Sequence, residues 1–121
     1  MLGFQNLEVW NESMALAKEV YTILKKYPKD ELFILVSQIK RSAVSIPSNI
    51  AEGIGRQYKN ETIHFLSIAR GSLYELDTQI RLSGFIGYIN KPEECKILNK
   101  IEMIKRLLNG LIRHYNTASL K

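Results

Sequence analysis

The sequence predicts an all-α protein, an antiparallel up-down-up-down four-helix bundle in which residues 1–121 form a single domain. The chain length suits one domain of ordinary size. In four segments, apolar residues recur at alternating steps of three and four, which is the period of helices that pack along one face. No segment alternates apolar and polar residues with period two, so we predict no strands.

The first two helices are predicted at residues 7–26 and 31–52. Pro28 separates them, because proline has no backbone N–H to donate within a helix. The apolar stripe of the second helix starts at Leu32, and Gly53 ends that helix. The connection between the two helices is therefore short, which favours an antiparallel pair.

The third and fourth helices are predicted at residues 61–87 and 91–115. Asn60 precedes the third helix and belongs to a residue type that commonly caps helix N-termini. Asn90 precedes the fourth helix, and Glu93 three residues later completes the pattern of a capping box. Helices of this length can each span a whole bundle.

Pro47 lies inside the predicted second helix. Its ring removes the hydrogen bond to the carbonyl of Ala43, so we expect a kink between Ala43 and Ser48. We expect the side chains of Ser45, Ser48 and Asn49 to bond the freed carbonyls. One interpretation of the kink is that it lets the helix bend around the core. The other is that it shapes a groove on the surface, and the two interpretations are compatible.

Residues that carry catalytic or metal chemistry are sparse. Glu61 and His64 have the Glu-x-x-His spacing of a di-metal bundle site, but His114 has Leu111 three residues before it and completes no second pair. Cys95 stands alone in the sequence, and its acidic neighbours oppose thiolate formation. We therefore predict a protein that is not an enzyme and that holds no metal and no cofactor.

Basic residues exceed acidic residues by 17 to 12, which gives a formal net charge of +5. Such a balance favours a polyanionic partner, although it is also typical of a solvated helix face. No base-reading motif accompanies the basic residues, so phosphate contacts are the expected mode of binding. The candidate nucleic-acid-binding residues are Lys40, Arg41, Arg56, Lys59, Lys100, Lys105, Arg106 and Arg113.

The third helix also has apolar residues outside its main stripe. A bundle helix needs one buried face, so a second apolar strip indicates either a contact between subunits or a broad core face. The candidate residues of an oligomer interface are Ile68, Tyr74, Leu82, Phe85 and Ile86.

Four segments of the chain resemble a known family. They are VW at residues 9–10, SQIKRSAVSIPSNIAEG at 37–53, GSLYELDTQ at 71–79 and LLNGLI at 107–112. These segments are similar to those of bacterial four-helix-bundle proteins named for intervening sequences in ribosomal RNA genes, the IVS family. The resemblance implies a homopentameric barrel of bundles with a basic surface. A related branch of similar fold, the accessory protein of diversity-generating retroelements, binds a reverse transcriptase and nucleic acid.

Two functions compete at this point. The first is a small homo-oligomer that binds RNA or DNA, with RNA favoured, through phosphate contacts. The second is a protein-binding scaffold or accessory subunit that docks a polymerase-like partner. Salt separates them, because phosphate contacts weaken steeply with salt whereas an apolar docking groove does not. A lone cysteine, no long apolar run and no signal peptide lead us to expect the cytoplasm and no membrane.

Overall fold

The computed structural model describes residues 3–118 of the chain. Within them no strand occurs, as predicted. The chain forms four α-helices and two short 3-10 turns, which are the turn Phe4–Asn6, α1 (Glu8–Leu24), the turn Lys29–Glu31, α2 (Leu35–Ile54), α3 (Lys59–Ile86) and α4 (Lys91–Ala118).

The four helices form a square in which each one contacts its two neighbours. Over the described residues, α1 does not contact α3 and α2 does not contact α4, so these pairs lie on the diagonals. The direction of α2 and α3 follows from two side-chain bonds. The hydroxyl of Thr62 donates to the carbonyl of Gly53, and the hydroxyl of Ser72 donates to Ser45 Oγ, both at 2.8 Å. Sequence numbers rise along one helix as they fall along the other, so the two helices are antiparallel.

The apolar stripes meet in a single core. On α3 the predicted stripe is fully buried, and it consists of Leu66, Ala69, Leu73, Leu76 and Ile80. The stripe predicted on α4 is buried from Ile97 to Leu108, whereas its last two residues, Leu111 and Tyr115, are half-buried against the core. Burial of such side chains from all four helices supplies the main stabilising free energy of a bundle. The predicted four-helix bundle is confirmed.

The start of α2 differs from the prediction. Residues 31–34 were expected within the helix, but Lys29–Glu31 is a 3-10 turn and α2 begins at Leu35. Leu32, predicted to open the buried stripe, is 46% exposed. The hydroxyl of Tyr88 donates to Glu31 Oε2 at 2.7 Å and ties the turn to the connection between α3 and α4. Tyr88 and Glu31 are 57 residues apart in the sequence, so the local pattern around Glu31 could not reveal this bond.

The start of α3 also differs from the prediction. The helix begins at Lys59, so Asn60 lies within its first turn and does not cap it. Tyr58 occupies the capping position in an extended conformation without a side-chain bond. The buried hydroxyl of Thr62 instead bonds the carbonyl of Gly53 at the end of α2. The first turn of α3 is therefore fixed by its contact with α2.

The other helix ends agree with the prediction within three residues. Gly87 follows α3 with φ at +100°, the left-handed conformation in which glycine commonly ends a helix. Asn90 and Glu93 form the predicted capping box at the start of α4. The Asn90 side chain accepts from the Glu93 amide, and the Glu93 carboxylate accepts from the Asn90 amide, both at 2.9 Å. α4 then extends to Ala118, three residues beyond its predicted end.

Pro47 is buried within α2, and the helix continues through it to Ile54, two residues beyond its predicted end. The side chain of Asn49 donates to the carbonyl and to the hydroxyl of Ser45, at 2.8 Å and 2.9 Å. The predicted side-chain bond to the backbone is therefore present, but on the carbonyl of Ser45 and not on that of Ala43. The kink itself stays a prediction.

One end of the bundle is held together by polar contacts between the two helix connections. Lys26 at the end of α1 forms an ion pair with Glu93, which is also part of the α4 capping box. These two interactions lower the pKa of Glu93, the bond from Lys26 more than the bond from the backbone of Asn90. Nearby, the hydrogen bond from Tyr88 to Glu31 raises the pKa of Tyr88 to about 12.

No helix in the described part of the chain combines the length and the hydropathy needed to cross a membrane.

Two glycines of the bundle should respond in opposite ways to replacement by alanine. A Cβ at Gly53 would lie 3.0 Å from the carbonyl oxygen of Thr62 and 3.1 Å from Cβ of Phe65, whereas a Cβ at Gly71 meets nothing within 4 Å. We expect Gly53→Ala to lower the free energy of unfolding by about 1–3 kcal/mol. We expect Gly71→Ala to raise it by about 0.5–1 kcal/mol, because alanine favours the helix. Urea unfolding followed by circular dichroism measures both, and equal effects of the two would contradict the close approach.

The ion pair of Glu93 should make part of the stability depend on pH. A carboxylate whose folded-state pKa is lowered stabilises the fold above its ordinary pKa, and this contribution is lost as the pH falls through the folded-state value. We expect Glu93→Gln to lower the melting temperature at pH 7 and to matter less in acid. Thermal unfolding from pH 7 to pH 3 tests this, with Glu75→Gln, an exposed acid on α3, as the matched control. A gap between wild type and Glu93→Gln that stays constant over this range would disprove the linkage.

Candidate nucleic-acid interface

Four of the eight predicted phosphate-binding residues already contact groups of their own chain. Arg56 illustrates this, since its guanidinium bonds the Glu52 carboxylate at 2.5 Å and lies 4.6 Å from the ring centre of Phe65. The other contacts join Lys40 to the ring of Tyr21, Lys100 to Glu12, and Lys105 to both Glu102 and the ring of Tyr74. These charges are partly neutralised or shielded, which weakens their attraction for a phosphate.

Lys100 is the clearest case of a basic residue with a structural role. Its ammonium group bonds the Glu12 carboxylate at 3.1 Å, and both side chains are largely shielded from solvent. The pair joins α4 to α1. Separating a partly buried ion pair costs free energy. Lys100 is therefore a poor candidate for contact with a phosphate, because its side chain would first have to leave Glu12.

The other four residues are Arg41, Lys59, Arg106 and Arg113, and none has an acidic partner among the described residues. The three arginines are exposed. Arg106 and Arg113 stand seven residues apart on α4, which places them on the same outer face two turns apart. An unpaired guanidinium can bond a phosphate with two parallel N–H donors.

The structure does not bring the eight residues into one patch on a single chain. α2 and α4 lie on a diagonal of the bundle, so their basic residues face different directions. Some basic residues of the α2 group and some of the α4 group nevertheless lie at the same end of the bundle. Arg70 on α3 bonds Asn109 on α4 at 3.0 Å, so residues beyond Asn109 approach the start of α3. Arg113 therefore lies toward the same end of the bundle as Arg56 and Lys59.

The five candidate interface residues on α3 are all exposed, so they are not part of a broad core face. They lie on two flanks of the helix. Ile68 borders the groove between α2 and α3, whereas Tyr74 lies beneath Lys105 of α4. Phe85 is 90% exposed near the end of α3, and Leu82 and Ile86 are exposed beside it.

Sequence analysis missed two groups of surface residues. The first is the exposed apolar run from Leu32 to Ile34, in which Phe33 is 88% exposed. It lies at the same end of the bundle as Phe85, because the bond from Tyr88 to Glu31 joins the two connections there. The prediction of a helix over this run concealed it.

The second is a polar groove of about 500 Å³ between α2 and α3, of which the sequence analysis named only Arg41, Ser45 and Ile68, and those for other reasons. Its walls carry Gln38, Arg41, Ser42 and Ser45 from α2 and Ser72, Glu75 and Gln79 from α3. Polar residues at steps of three and four beside the apolar stripe are the sequence signal that could have revealed it.

Within residues 3–118, no group of three or more His, Cys, Asp and Glu side chains lies close enough to hold a metal ion. Cys95 is an exposed free thiol on the first turns of α4.

These features define a class, the small basic four-helix-bundle proteins, with an apolar core and charges confined to the surface. Residues 5–110 match the family model described as 23S rRNA-intervening sequence protein, and the chain belongs to that family. The resemblance found in the sequence is thereby confirmed.

No curated protein is significantly similar to the chain. Among solved structures, one similar chain is a protein of unknown function from the S23 ribosomal protein family of Bacteroides thetaiotaomicron. It is 28% identical, and the match covers 86% of this chain and 97% of that one, with a TM-score of 0.78. The likeness extends over most of the four-helix bundle.

Proposed function

We propose that this protein is a non-enzymatic, cytoplasmic homo-oligomer that binds nucleic acid, RNA in preference, through contacts with phosphates. The observation that carries the proposal is the set of basic side chains without an acidic partner. Arg41, Arg106 and Arg113 are exposed, and the chain has a net charge of +5. Unpaired arginines on a basic surface are the typical means of binding a phosphate backbone without reading its sequence.

Oligomerisation strengthens this proposal. A pentamer would carry five times +5, or +25, and each cluster of basic residues would recur around the ring. The fields of neighbouring clusters add at distances within the Debye length, which is about 8 Å at physiological ionic strength. The exposed residues Ile68, Tyr74, Leu82, Phe85 and Ile86 supply apolar surface for contacts between subunits.

The second candidate function is an accessory protein that docks a polymerase-like protein partner. The observation in its favour is the exposed apolar surface at one end of the bundle, where Phe33 and Phe85 are 88% and 90% exposed. Large exposed aromatic side chains are typical of protein interfaces. Binding through them would be insensitive to salt, in contrast to binding through phosphates.

The first function predicts binding of structured RNA that falls steeply with salt. Each neutralised phosphate contributes a log–log slope of roughly 0.9 on a duplex and 0.7 on a single strand. We expect the double charge reversal Arg106→Glu/Arg113→Glu to weaken binding to all sequences about equally and to leave the helices intact. Reversal of Lys105 together with Arg106 should weaken binding less, because Lys105 is already bonded to Glu102 at 3.4 Å.

Fluorescence anisotropy between 50 and 300 mM salt measures these affinities. The matched control is Lys25→Glu/Lys29→Glu, which changes the net charge equally at two exposed positions of the opposite end. If the control and the arginine variant lose the same affinity for RNA, binding depends on the net charge alone and Arg106 and Arg113 form no site. No detectable affinity for RNA at 50 mM salt would exclude the proposed function.

The oligomeric state is a separate expectation, with a pentamer favoured. Light scattering at micromolar concentration should then give five times the chain mass of 13.9 kDa. We expect Phe85→Glu/Ile86→Glu to reduce this mass, because two charges would be buried in the interface. Thr22→Glu, an exposed position on α1, which lies diagonally opposite α3, is the control for an added charge. A wild-type monomer of 13.9 kDa would contradict the expectation.

A further inference from the structure

An apolar groove runs between α1 and α2, on the side of the bundle opposite α3 and α4. It has a volume of about 380 Å³, and the side chains that line it are apolar except for one serine. Met14 and Val44 on its rim are 47% and 44% exposed. This surface, the α1–α2 groove, has as its large lining residues Phe4, Trp10, Met14, Val44 and Pro47.

Local structure builds both walls of the α1–α2 groove. The 3-10 turn before α1 places the ring of Phe4 edge-on to Trp10, with 5.2 Å between the ring centres. Pro47, the proline inside α2, lines the opposite wall. An apolar groove with exposed apolar side chains at its rim is typical of a surface that another protein covers.

The exposed face of α3 has the complementary form. Ile68, Glu75 and Leu82 are exposed and follow one another at steps of seven residues, so they share one side of the helix. Phe85 and Ile86 continue this side to the end of α3. The α3 face therefore has apolar side chains at both ends and a carboxylate near its middle.

A hydrogen bond within the bundle shows which parts of the two surfaces lie at the same height. Ser72 on α3 bonds Ser45 on α2, and the two helices are antiparallel. Ile68, four residues before Ser72, is therefore level with the turn that follows Ser45, where Pro47 lies. In copies that stand side by side in the same direction, the lower end of the α3 face is level with the α1–α2 groove.

The charges at the middle of the two surfaces are opposite. Glu75, three residues after Ser72, is level with the turn that precedes Ser45, and Lys40 lies within a turn of that height. Lys40 is on the α1 side of α2, because its ammonium group lies 5.1 Å from the ring centre of Tyr21. Within residues 3–118 neither Lys40 nor Glu75 forms an ion pair, so the fold of the single chain does not depend on this carboxylate.

These charges also decide how two copies pair. If two α3 faces packed on each other around a two-fold axis, Glu75 would lie near Glu75 of the second copy, because it is close to the middle of the face. Like charges at such a contact repel each other. Docking of the α3 face on the α1–α2 side instead sets Glu75 against Lys40, and electrostatic complementarity of this kind fixes the register of a contact.

We propose that the α3 face of one copy docks into the α1–α2 groove of the next copy. Ile68 packs against Pro47, and Glu75 pairs with Lys40. The end of α3 packs on the exposed run from Leu32 to Ile34, which lies at the same end of the bundle. The contact is heterologous, because the two copies contribute different surfaces, so it repeats from copy to copy and closes into a ring where the rotation allows. This proposal rests on the homo-oligomer of the proposed function and names its two surfaces.

Two variants that each block one surface test the pairing. Met14→Glu/Val44→Glu adds two charges to the α1–α2 groove, and Phe85→Glu/Ile86→Glu adds two charges to the α3 face. All four positions are exposed, so the helices are kept, which circular dichroism checks. By light scattering without RNA, each variant alone should have the chain mass of about 13.9 kDa. An equimolar mixture should have twice that mass, because the intact α3 face of one variant fits the intact groove of the other.

Exchange of the two charges tests the register. Lys40→Glu and Glu75→Lys should each weaken association about tenfold, because each places like charges opposite one another. The double variant Lys40→Glu/Glu75→Lys should restore association, measured as mass over a dilution series. Lys18→Glu is the matched control, since Lys18 is exposed on the side of α1 that faces α4. It should leave the mass unchanged.

Four results would overturn the proposal. Wild-type mass in Met14→Glu/Val44→Glu would show that the groove takes no part in an oligomer formed by other surfaces. A mixture of the two blocked variants that stays monomeric would exclude a heterologous contact. A double charge variant as weak as the single ones would exclude the pairing of Glu75 with Lys40. A monomeric wild type would exclude the contact together with the homo-oligomer, and would leave the groove to a different protein. The affinity for RNA is measured separately, so the nucleic-acid part of the proposed function stands or fails independently of these results.

Discussion

The structure depends on one constraint, which is that four helices must bury a continuous apolar seam with a period of about 3.5 residues. Leu66, Leu73 and Ile80 on α3 are fully shielded from solvent because each is separated from the next by two turns of the same face. Once all four seams close on each other, every remaining side chain must lie on a flank or on the outside. The distribution of charge over the surface follows from this.

The same constraint decides where function can lie. An apolar interior excludes unpaired ionisable groups, because a charge buried without a partner costs several kcal/mol. The chain accordingly keeps its basic residues outside the seams, and part of them are used to join helices, as Lys100 joins Glu12. Among the described basic residues, those without an acidic partner, such as Arg106 and Arg113, keep their full charge available to a partner.

Prediction from sequence succeeded where local chemistry determines the structure. The stripe of α3 and the capping box of Asn90 and Glu93 depend on spacings of three and four residues, which the sequence displays directly. It failed where a distant contact overrides the local pattern. Leu32 has the spacing of a core residue, but the bond from Tyr88 to Glu31 holds that segment in a turn and turns the side chain outward.

The candidate site shows the same division. The basic character of the surface could be predicted from the composition. The acidic partners of Arg56 and Lys105 lie four and three residues away on the same helix, so the sequence displays their spacing too. The partner of Lys100 is Glu12 on α1, 88 residues away, and only the packing of α4 against α1 brings the two side chains together. The packing of the helices therefore decides which basic residues keep their charge available for a partner.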